Sequence, residues 1–183
     1  MAQTLACLRG WHVGLAQAEL VALFPAAKFE ELSPRLMLTN QQPAKELQQS
    51  LSCSSGIQCF LRDVELINYP KQNQTTLLEK ISSVLEKFPM RGSLAVRYLR
   101  IAGRIDGVST KSLAGEIGSL AVSHGYSINL NDPEYEIGLI ADGMSNTIVC
   151  GWLIGDFDDS IGTATRRATE RPFFRPISLD PRL

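Results

Sequence analysis

The sequence predicts an α+β, or mixed α/β, fold built as two consecutive units, the second of which has a mixed sheet. Two patterns carry this prediction. Short apolar stretches alternate with stretches of helical period along the chain, and the polar, turn-forming stretch NYPKQNQ at 68–74 separates two such series. With 183 residues, of which 44% are hydrophobic and 20% charged, the chain is long enough and apolar enough to bury a core.

The first unit, residues 1–66, follows the order strand, helix, strand, strand, helix, strand. Strands are expected in QTLACLR, KFEEL, RLMLTN and IQCFLRDVEL, and helices in LAQAELVALF and PAKELQQSL. In the first helix, Leu15, Ala18, Ala22 and Leu23 lie near helical spacing, with Leu20 at the margin of that face. This order of elements is typical of a ferredoxin-like domain.

The second unit, residues 67–165, begins with the helix TTLLEKISSVLEKF, which Thr75 or Thr76 is expected to cap. The strand SLAVRYLRI and the helix STKSLAGEIGSLAVSHG follow, the latter capped by Ser109 or Thr110. The stretches YSINL, YEIGLIAD and TIVCGWLIGDF complete the unit as strands, the last two joined by a turn at GMSN. The predicted order is helix, strand, helix and three strands.

Composition excludes several classes of protein. No apolar run approaches the roughly 18 residues that cross a bilayer, and the N-terminal stretch lacks the features of a signal peptide, which indicates a cytoplasmic protein. The cysteines and histidines are scattered, so we expect buried reduced thiols, structural or surface histidines and no metal site. These residues are Cys7, Cys53, Cys59, Cys150, His12 and His124.

Catalytic motifs are also missing. The sequence contains no G-x-S-x-G, H-E-x-x-H, P-loop or G-x-G-x-x-G between a strand and a helix. The glycine pairs in GWHVG and GEIGS are expected at turn and helix-packing positions. The acidic run Asp156, Asp158 and Asp159 lacks the glycine and distal glutamate of a calcium loop, which favours a solvated loop.

Charge is unevenly distributed although the formal net charge is only −1. Residues 91–115 hold five basic side chains against Asp106 alone, residues 116–165 hold eight acids and no Lys or Arg, and residues 166–183 hold five arginines against two acids. If the fold brings the two basic segments together, they form a local anion-binding face. The alternative is that these charges are solvated on unrelated elements.

Within the first basic segment, four residues are candidate RNA contacts. Arg97 and Arg100 lie on or beside a strand, Arg104 falls in the following loop, and Lys111 lies in the first turn of a helix. A cation there opposes the helix dipole unless an anion compensates, and free backbone N–H groups at a helix start favour phosphate. The alternative is that Lys111 simply points into water.

The C-terminal segment RRATERPFFRPISLDPRL is expected to be an extended arm, because its prolines prevent a helix. Its arginines can neutralise phosphates, and Phe173 and Phe174 can stack on unpaired bases or, as we favour for at least one of them, bury against the domain. The candidate arginines are Arg166, Arg167, Arg171 and Arg175. They can instead pair with the acidic run at 156–159.

Several of these stretches together resemble the THUMP domain and linker of the tRNA guanine-N2 methyltransferases, in particular the archaeal type acting on guanosine 10. The resemblance covers LAVRYLRIAGRIDGVSTKSLAGEIGSLAV, with its Ile117-Gly118 pair, the strand-to-turn pattern from Leu130 to Pro133-Glu134, and the closing RPFFRPISLDPRL. The early HVGLAQAELVALFP is similar to the family's N-terminal ferredoxin-like domain.

The resemblance implies a ferredoxin-like domain at 1–66, a THUMP RNA-binding domain at 67–165 and, at 166–183, a linker to a Rossmann-like domain that binds S-adenosylmethionine. Neither the start of that domain nor its (N/D)-P-P-(Y/F) catalytic motif occurs in these 183 residues. The chain is therefore expected to be truncated inside the linker, with no catalytic residue and no cofactor of its own.

The expected partner is tRNA, because in this family the two domains are thought to grip the acceptor stem and the single-stranded 3′ CCA end. Contacts of this kind combine arginine with phosphate and aromatic side chains with unpaired bases. The alternatives are a non-catalytic tRNA-binding adaptor, the THUMP part of another modifying enzyme such as a thiouridine synthetase, or an α/β interaction domain that does not bind RNA.

Overall fold

The computed structural model describes residues 3–10, 12–40, 42–87 and 92–157. The tail 166–183, with its four candidate arginines, lies outside these residues. In chain order the described elements are β1 (Gln3–Leu8), α1 (Val13–Leu23), β2 (Phe29–Ser33), β3 (Leu36–Asn40), α2 (Ala44–Cys53), β4 (Ile57–Asn68), α3 (Gln74–Lys87), β5 (Ser93–Ile101), α4 (Thr110–Ser123), β6 (Ser127–Ile128), β7 (Tyr135–Asp142) and β8 (Thr147–Gly155). None of these helices is long and apolar enough to cross a membrane.

All eight described strands belong to one sheet, in the order β2-β3-β1-β4-β8-β7-β5-β6. The first four are antiparallel and have the strand order of a ferredoxin-like domain. In the second half, β5 runs parallel to β7 and β6, whereas β7 and β8 form an antiparallel hairpin. The sheet is therefore mixed, as predicted.

Strand β4 joins the two halves. Its N-terminal part pairs with β1, and on its other edge it pairs antiparallel with β8 from Cys59 opposite Gly155 to Asn68 opposite Thr147. The register shifts between Arg62 and Glu65, where Asp63 adopts a positive φ of 50°. Such a bulge inserts extra residues and bends the strand locally.

The four described helices cover one face of the sheet. Side chains alternate along a strand, so Ile148, Cys150 and Ile154 of β8 point to the same side. Ile148 and Cys150 pack with α3 and α4, whereas Ile154 packs with α1 and α2. The large apolar residues of these two clusters stabilise the fold by about 1.5–3 kcal/mol each relative to an exposed position.

The opposite face holds a third cluster to which no residue of the four described helices belongs. It combines Leu5 and Cys7 of β1 with Ile101 of β5, Ile140 of β7 and Val149 of β8. Because strands from both halves contribute, the two units share a core as well as a sheet.

The apolar residues of α1 that lie near helical spacing do not form its buried face. Leu15 is 68% exposed, Ala18, Ala22 and Leu23 are also exposed, and the buried residues are Ala16 and Leu20. Helix α1 is apolar on most sides, so its period does not select a face. Its rotation follows instead from the Glu19 carboxylate, which accepts hydrogen bonds from three groups of the segment 54–56. These bonds measure 2.8 Å from Ser54 Oγ, 3.0 Å from Ser55 N and 2.6 Å from Gly56 N.

Three smaller expectations also need correction. Helix α3 is capped by Asn73, whose Oδ1 accepts from Thr76 N at 2.9 Å, rather than by a threonine. The stretch YSINL forms only the two-residue strand β6, because Asn129 Nδ2 donates to the Asp132 carbonyl at 2.7 Å and so turns the chain away. Of the four cysteines, all free, Cys53 is exposed because it lies on the outer side of α2 at its end.

Candidate nucleic-acid interface

Strand β5 and helix α4 form the unit that carries the first four candidate residues. The chain leaves β5, passes through the loop 102–109 and returns across the sheet as α4 to the parallel strand β6. The carboxyl end of β5 therefore lies beside the amino end of α4. In sheets with parallel strands, this end is where ligands commonly bind.

The start of α4 is fixed by its cap. Ser109 has an extended backbone and its Oγ accepts a hydrogen bond from Ser112 N at 3.3 Å. The preceding loop is held against the β7–β8 turn by Gly143, whose N donates to the Ile101 carbonyl at 3.0 Å. A Cβ at Gly143 would lie 2.7 Å from the Ala102 carbonyl oxygen, so only glycine permits this approach.

Three of the predicted cations are exposed where β5 connects to α4. Arg100 is the penultimate residue of β5 and lies on the same strand face as Tyr98, Arg104 lies in the loop, and Lys111 lies in the first turn of α4. Among the described residues, none of these three cations forms an ion pair. The exposed acids of the same segment are Asp106 and Glu116, and the latter accepts from Ser112 Oγ at 3.4 Å.

Arg97 has a different environment from the other three. Its Nε donates to Glu136 Oε1 on the neighbouring strand β7 at 2.8 Å, and its Nη2 donates to the Leu130 carbonyl at 2.9 Å. The Arg97 side chain is 35% exposed, and that of Glu136 27%. An arginine in this position holds the segment after β6 against β5, and its role as an RNA contact stays a prediction.

A groove of about 310 Å³ lies between β5 and α4. Its wall on β5 is formed by side chains that share one face of the strand, and its wall on α4 by residues of one helix face. The lining residues are Val96, Tyr98, Ala114, Gly115, Gly118, Ser119, Val122, Ile128 and Leu130. Lys111 lies one turn before Gly115 on that helix face, and Arg100 lies two residues after Tyr98 on that strand face.

The groove itself is lined by apolar side chains and is open to solvent. Four of its large apolar side chains are exposed, namely Tyr98 by 43%, Val122 by 52%, Ile128 by 44% and Leu130 by 60%. A contiguous exposed apolar patch marks an interaction site more often than a single exposed residue does. The groove thus has a cationic end and an apolar end.

Sequence reasoning missed this groove. The glycines of GEIGS were expected at helix-packing positions, but a Cβ at Gly115 would meet no atom within 4 Å, and one at Gly118 would meet only Ile128 Cδ1, at 3.9 Å. These glycines were the available signal, because glycine in a helix interior costs about 0.8–1 kcal/mol relative to alanine and here permits no close packing.

The other cavity and side-chain groups of the described residues are less suited to bind an anion or a metal ion. A second open cavity of about 240 Å³ lies beside Arg62 and Trp152, but three acids, Asp63, Glu134 and Glu136, line it, and they repel an anion. No group of three or more His, Cys, Asp or Glu side chains within the described ranges has the arrangement of a metal site.

Comparison with known proteins identifies the fold. Neither a protein-family model nor a curated protein matches the chain. The solved structure of PH1313 from Pyrococcus horikoshii Ot3 matches with a TM-score of 0.59 and 13% identity, over 86% of this chain and 56% of that one. The fold class is confirmed. The described residues form four helices and one mixed eight-stranded sheet, and this solved structure shares that mixed α+β architecture.

Two further structures share this fold. TrmN from Thermus thermophilus matches with a TM-score of 0.57 and 14% identity, over 85% of this chain and 46% of that one. A 4-thiouridine synthetase, solved as an RNA complex with bound ATP, matches with a TM-score of 0.53 and 14% identity, over 86% of this chain and 42% of that one. The chain therefore spans about half the length of the solved proteins it matches.

Proposed function

We propose that this chain is the tRNA-binding region of a tRNA-modifying enzyme and that it holds the acceptor stem and 3′ CCA end. The observation that carries the proposal is the convergence of Arg100, Arg104 and Lys111 at one end of the β5–α4 unit, without ion-pair partners among the described residues. Cations without protein partners are available to phosphate, which supplies most of the affinity of proteins for nucleic acids. The shared fold with a 4-thiouridine synthetase solved with RNA supports the same reading.

The modification that we propose is methylation of a guanine N2 by an S-adenosylmethionine-dependent domain that is not part of this chain. Support comes from the resemblance of the basic β5–α4 unit and of RPFFRPISLDPRL to the corresponding methyltransferases. S-adenosylmethionine would supply the methyl group in that domain, and we assign no residue of this chain to it. The arginines at 166, 167, 171 and 175 are proposed as further RNA contacts along the linker.

A second candidate is the RNA-binding part of a thiouridine synthetase, favoured by the fold shared with the 4-thiouridine synthetase. It uses the same three cations in the same way and differs only in the reaction that follows. A non-catalytic adaptor would also use them. Incubating the longest natural protein that contains this chain with tRNA and labelled S-adenosylmethionine separates the candidates, because only the first incorporates the label.

RNA binding itself is tested with the 183-residue chain, intact tRNA and tRNA lacking CCA, at several salt concentrations. We expect intact tRNA to bind more tightly and the affinity to fall steeply with salt. The double variant Arg100→Ala/Lys111→Ala should bind both RNAs more weakly and lower the slope of log affinity against log salt by roughly 1.4–1.8. The charge-matched control is Lys28→Ala/Lys45→Ala, which removes two exposed lysines of the first unit. Equal losses in the two double variants would refute the proposal.

A further inference from the structure

We infer that the groove between β5 and α4 binds one unpaired nucleotide of the RNA, with its base at the apolar end and a phosphate at the cationic end. This inference rests on the proposed function and adds the part of the RNA that is read there. It depends on the apolar cavity and on the placement of Arg100 and Lys111 next to its lining residues Tyr98 and Gly115, on β5 and α4 respectively.

The size and lining of the groove fit a planar base. Its volume of about 310 Å³ is at the lower limit of small-molecule pockets, which excludes a large ligand. The Tyr98 ring is 43% exposed on one wall, and the Leu130 side chain is 60% exposed on the other side. Base stacking on an aromatic side chain is the usual way in which proteins hold single-stranded RNA without pairing it.

The glycines of α4 leave the floor of the groove open. Because a Cβ at Gly115 would meet no neighbouring atom, no contact of the described residues requires glycine there. The helix nevertheless has glycine at two positions that face the groove, at a cost in helix propensity. A ligand that lies flat against the helix backbone accounts for both positions.

The edge of β5 adds hydrogen-bonding groups. Strand β6 pairs with β5 only at Ser93 and Leu94, and Asn129 N donates to the Leu94 carbonyl at 3.1 Å. Since backbone groups of alternate residues point to the same side of a strand, the N–H and C=O groups of Val96 and Tyr98 face the same edge. No other described strand pairs with them there. They are placed to bond the polar edge of a base whose face lies on Tyr98.

The cations define the orientation of the nucleotide. Arg100 and Lys111 flank one end of the groove, and both are exposed and without ion pairs among the described residues. A phosphate at that end gains two favourable charge interactions, and one at the apolar end gains none. The wall at the apolar end is held in place by Arg97, which donates to the Leu130 carbonyl at 2.9 Å.

A nucleotide explains these observations better than a peptide. An extended peptide added to the edge of β5 would satisfy the backbone groups but would leave Arg100 and Lys111 unused. A nucleotide combines a flat apolar face, polar edges and a negative phosphate, and so matches all three parts of the groove.

The experiment fills the groove without disturbing the protein. Gly115→Leu places a side chain where the described protein atoms leave open space. Its control is Ser123→Leu, which adds the same apolar side chain at an exposed position of α4 outside the groove lining. Thermal unfolding and far-UV circular dichroism of both variants check that they are folded. Each is titrated with intact tRNA and with tRNA whose three 3′ nucleotides are abasic, which keeps every phosphate.

The wild-type chain and Ser123→Leu should bind the intact tRNA more tightly than the abasic one, by roughly 5- to 100-fold, as expected for loss of a stacked base. In Gly115→Leu this preference should fall close to one, whereas binding to the abasic tRNA should remain near that of the wild type. The two changes are then non-additive, as for groups in direct contact.

The outcomes separate this inference from the proposed function. If folded Gly115→Leu retains the full preference for intact tRNA, the groove does not hold the base, although the chain still binds tRNA. If the wild type shows no preference between intact and abasic tRNA, the inference is also overturned. If the wild type binds neither RNA but binds extended peptides, the proposed function fails and the groove is a peptide site.

Discussion

Two glycine-to-alanine substitutions in the β5–α4 region should change stability in opposite directions. At Gly143 an added Cβ would lie 2.7 Å from the Ala102 carbonyl oxygen and 2.8 Å from the Gly103 carbonyl carbon. Both atoms belong to the backbone, so no side-chain rotation relieves the contact. At Gly115 the same atom would meet nothing within 4 Å.

These contacts set the magnitudes. Overpacking against a fixed backbone costs about 1–3 kcal/mol, and Gly143→Ala should lose that much free energy of unfolding. Gly115→Ala improves helix propensity and lowers the entropy of the unfolded chain, and should gain about 0.4–1 kcal/mol. Gly143→Ala should also weaken tRNA binding, because the loop that must move carries Arg104.

The assay is urea unfolding followed by far-UV circular dichroism, with the free energy extrapolated linearly to water. An unchanged slope in urea shows that only stability has changed. If Gly143→Ala unfolds at the same urea concentration as the wild type, the loop 102–109 is free to move away and does not constrain the site. If Gly115→Ala is destabilised, the space at Gly115 is not open.

Two further predictions concern buried polar groups. Asp142 is fully buried, and its carboxylate accepts hydrogen bonds from Met144 N at 3.0 Å and from Ser145 Oγ at 2.7 Å. Asp142→Ala should therefore lower the free energy of unfolding in urea by about 1–3 kcal/mol, and by more than Asp142→Asn, which keeps one acceptor. Equal losses in the two variants would contradict the hydrogen-bond argument. Burial raises the pKa of Cys150 from 9.0 to about 12. As the pH rises, the thiol therefore ionises first in the unfolded chain. The free energy of unfolding should fall between these pH values by at most about 1.4 kcal/mol per pH unit. The free energy of unfolding, measured across this pH range, should fall less steeply in Cys150→Ala than in the wild type. Identical pH profiles would show that Cys150 does not cause the pH dependence.

Local patterns were sufficient to predict most elements of the fold. The apolar runs that end at Asp142 and begin at Thr147 predict strands because β7 and β8 are buried on both faces of the sheet and are joined by a tight turn. Helix α4 was predicted with either Ser109 or Thr110 as its cap, because the cap and the apolar period occur within one stretch, and Ser109 is the cap. These features depend on neighbours in sequence.

Features that depend on distant residues were not predictable. The pairing of β4 with β8 joins Asn68 to Thr147, and the predicted boundary at residue 66 lies inside β4. The rotation of α1 is set by hydrogen bonds between Glu19 and the segment 54–56, which no period in the helix reveals.

The candidate site was predicted only in part, because some of its features are local in sequence and others are not. Arg100, Arg104 and Lys111 lie within twelve residues, so a local reading grouped them. The ion pair of Arg97 with Glu136 and the open space at Gly115 require the neighbouring strand and the edge of the sheet, which are far away in sequence.

The pairing of β4 has a consequence during synthesis of the chain. The ribosome must add roughly 80 residues after β4 before β8 can pair with its outer edge, which takes about 4–16 s at ordinary rates of translation. During that time the strand exposes an unpaired edge, a known origin of aggregation. The bulge at Asp63, between Arg62 and Glu65, interrupts this edge midway, and an interrupted edge is a poorer template for pairing with another chain before β8 emerges.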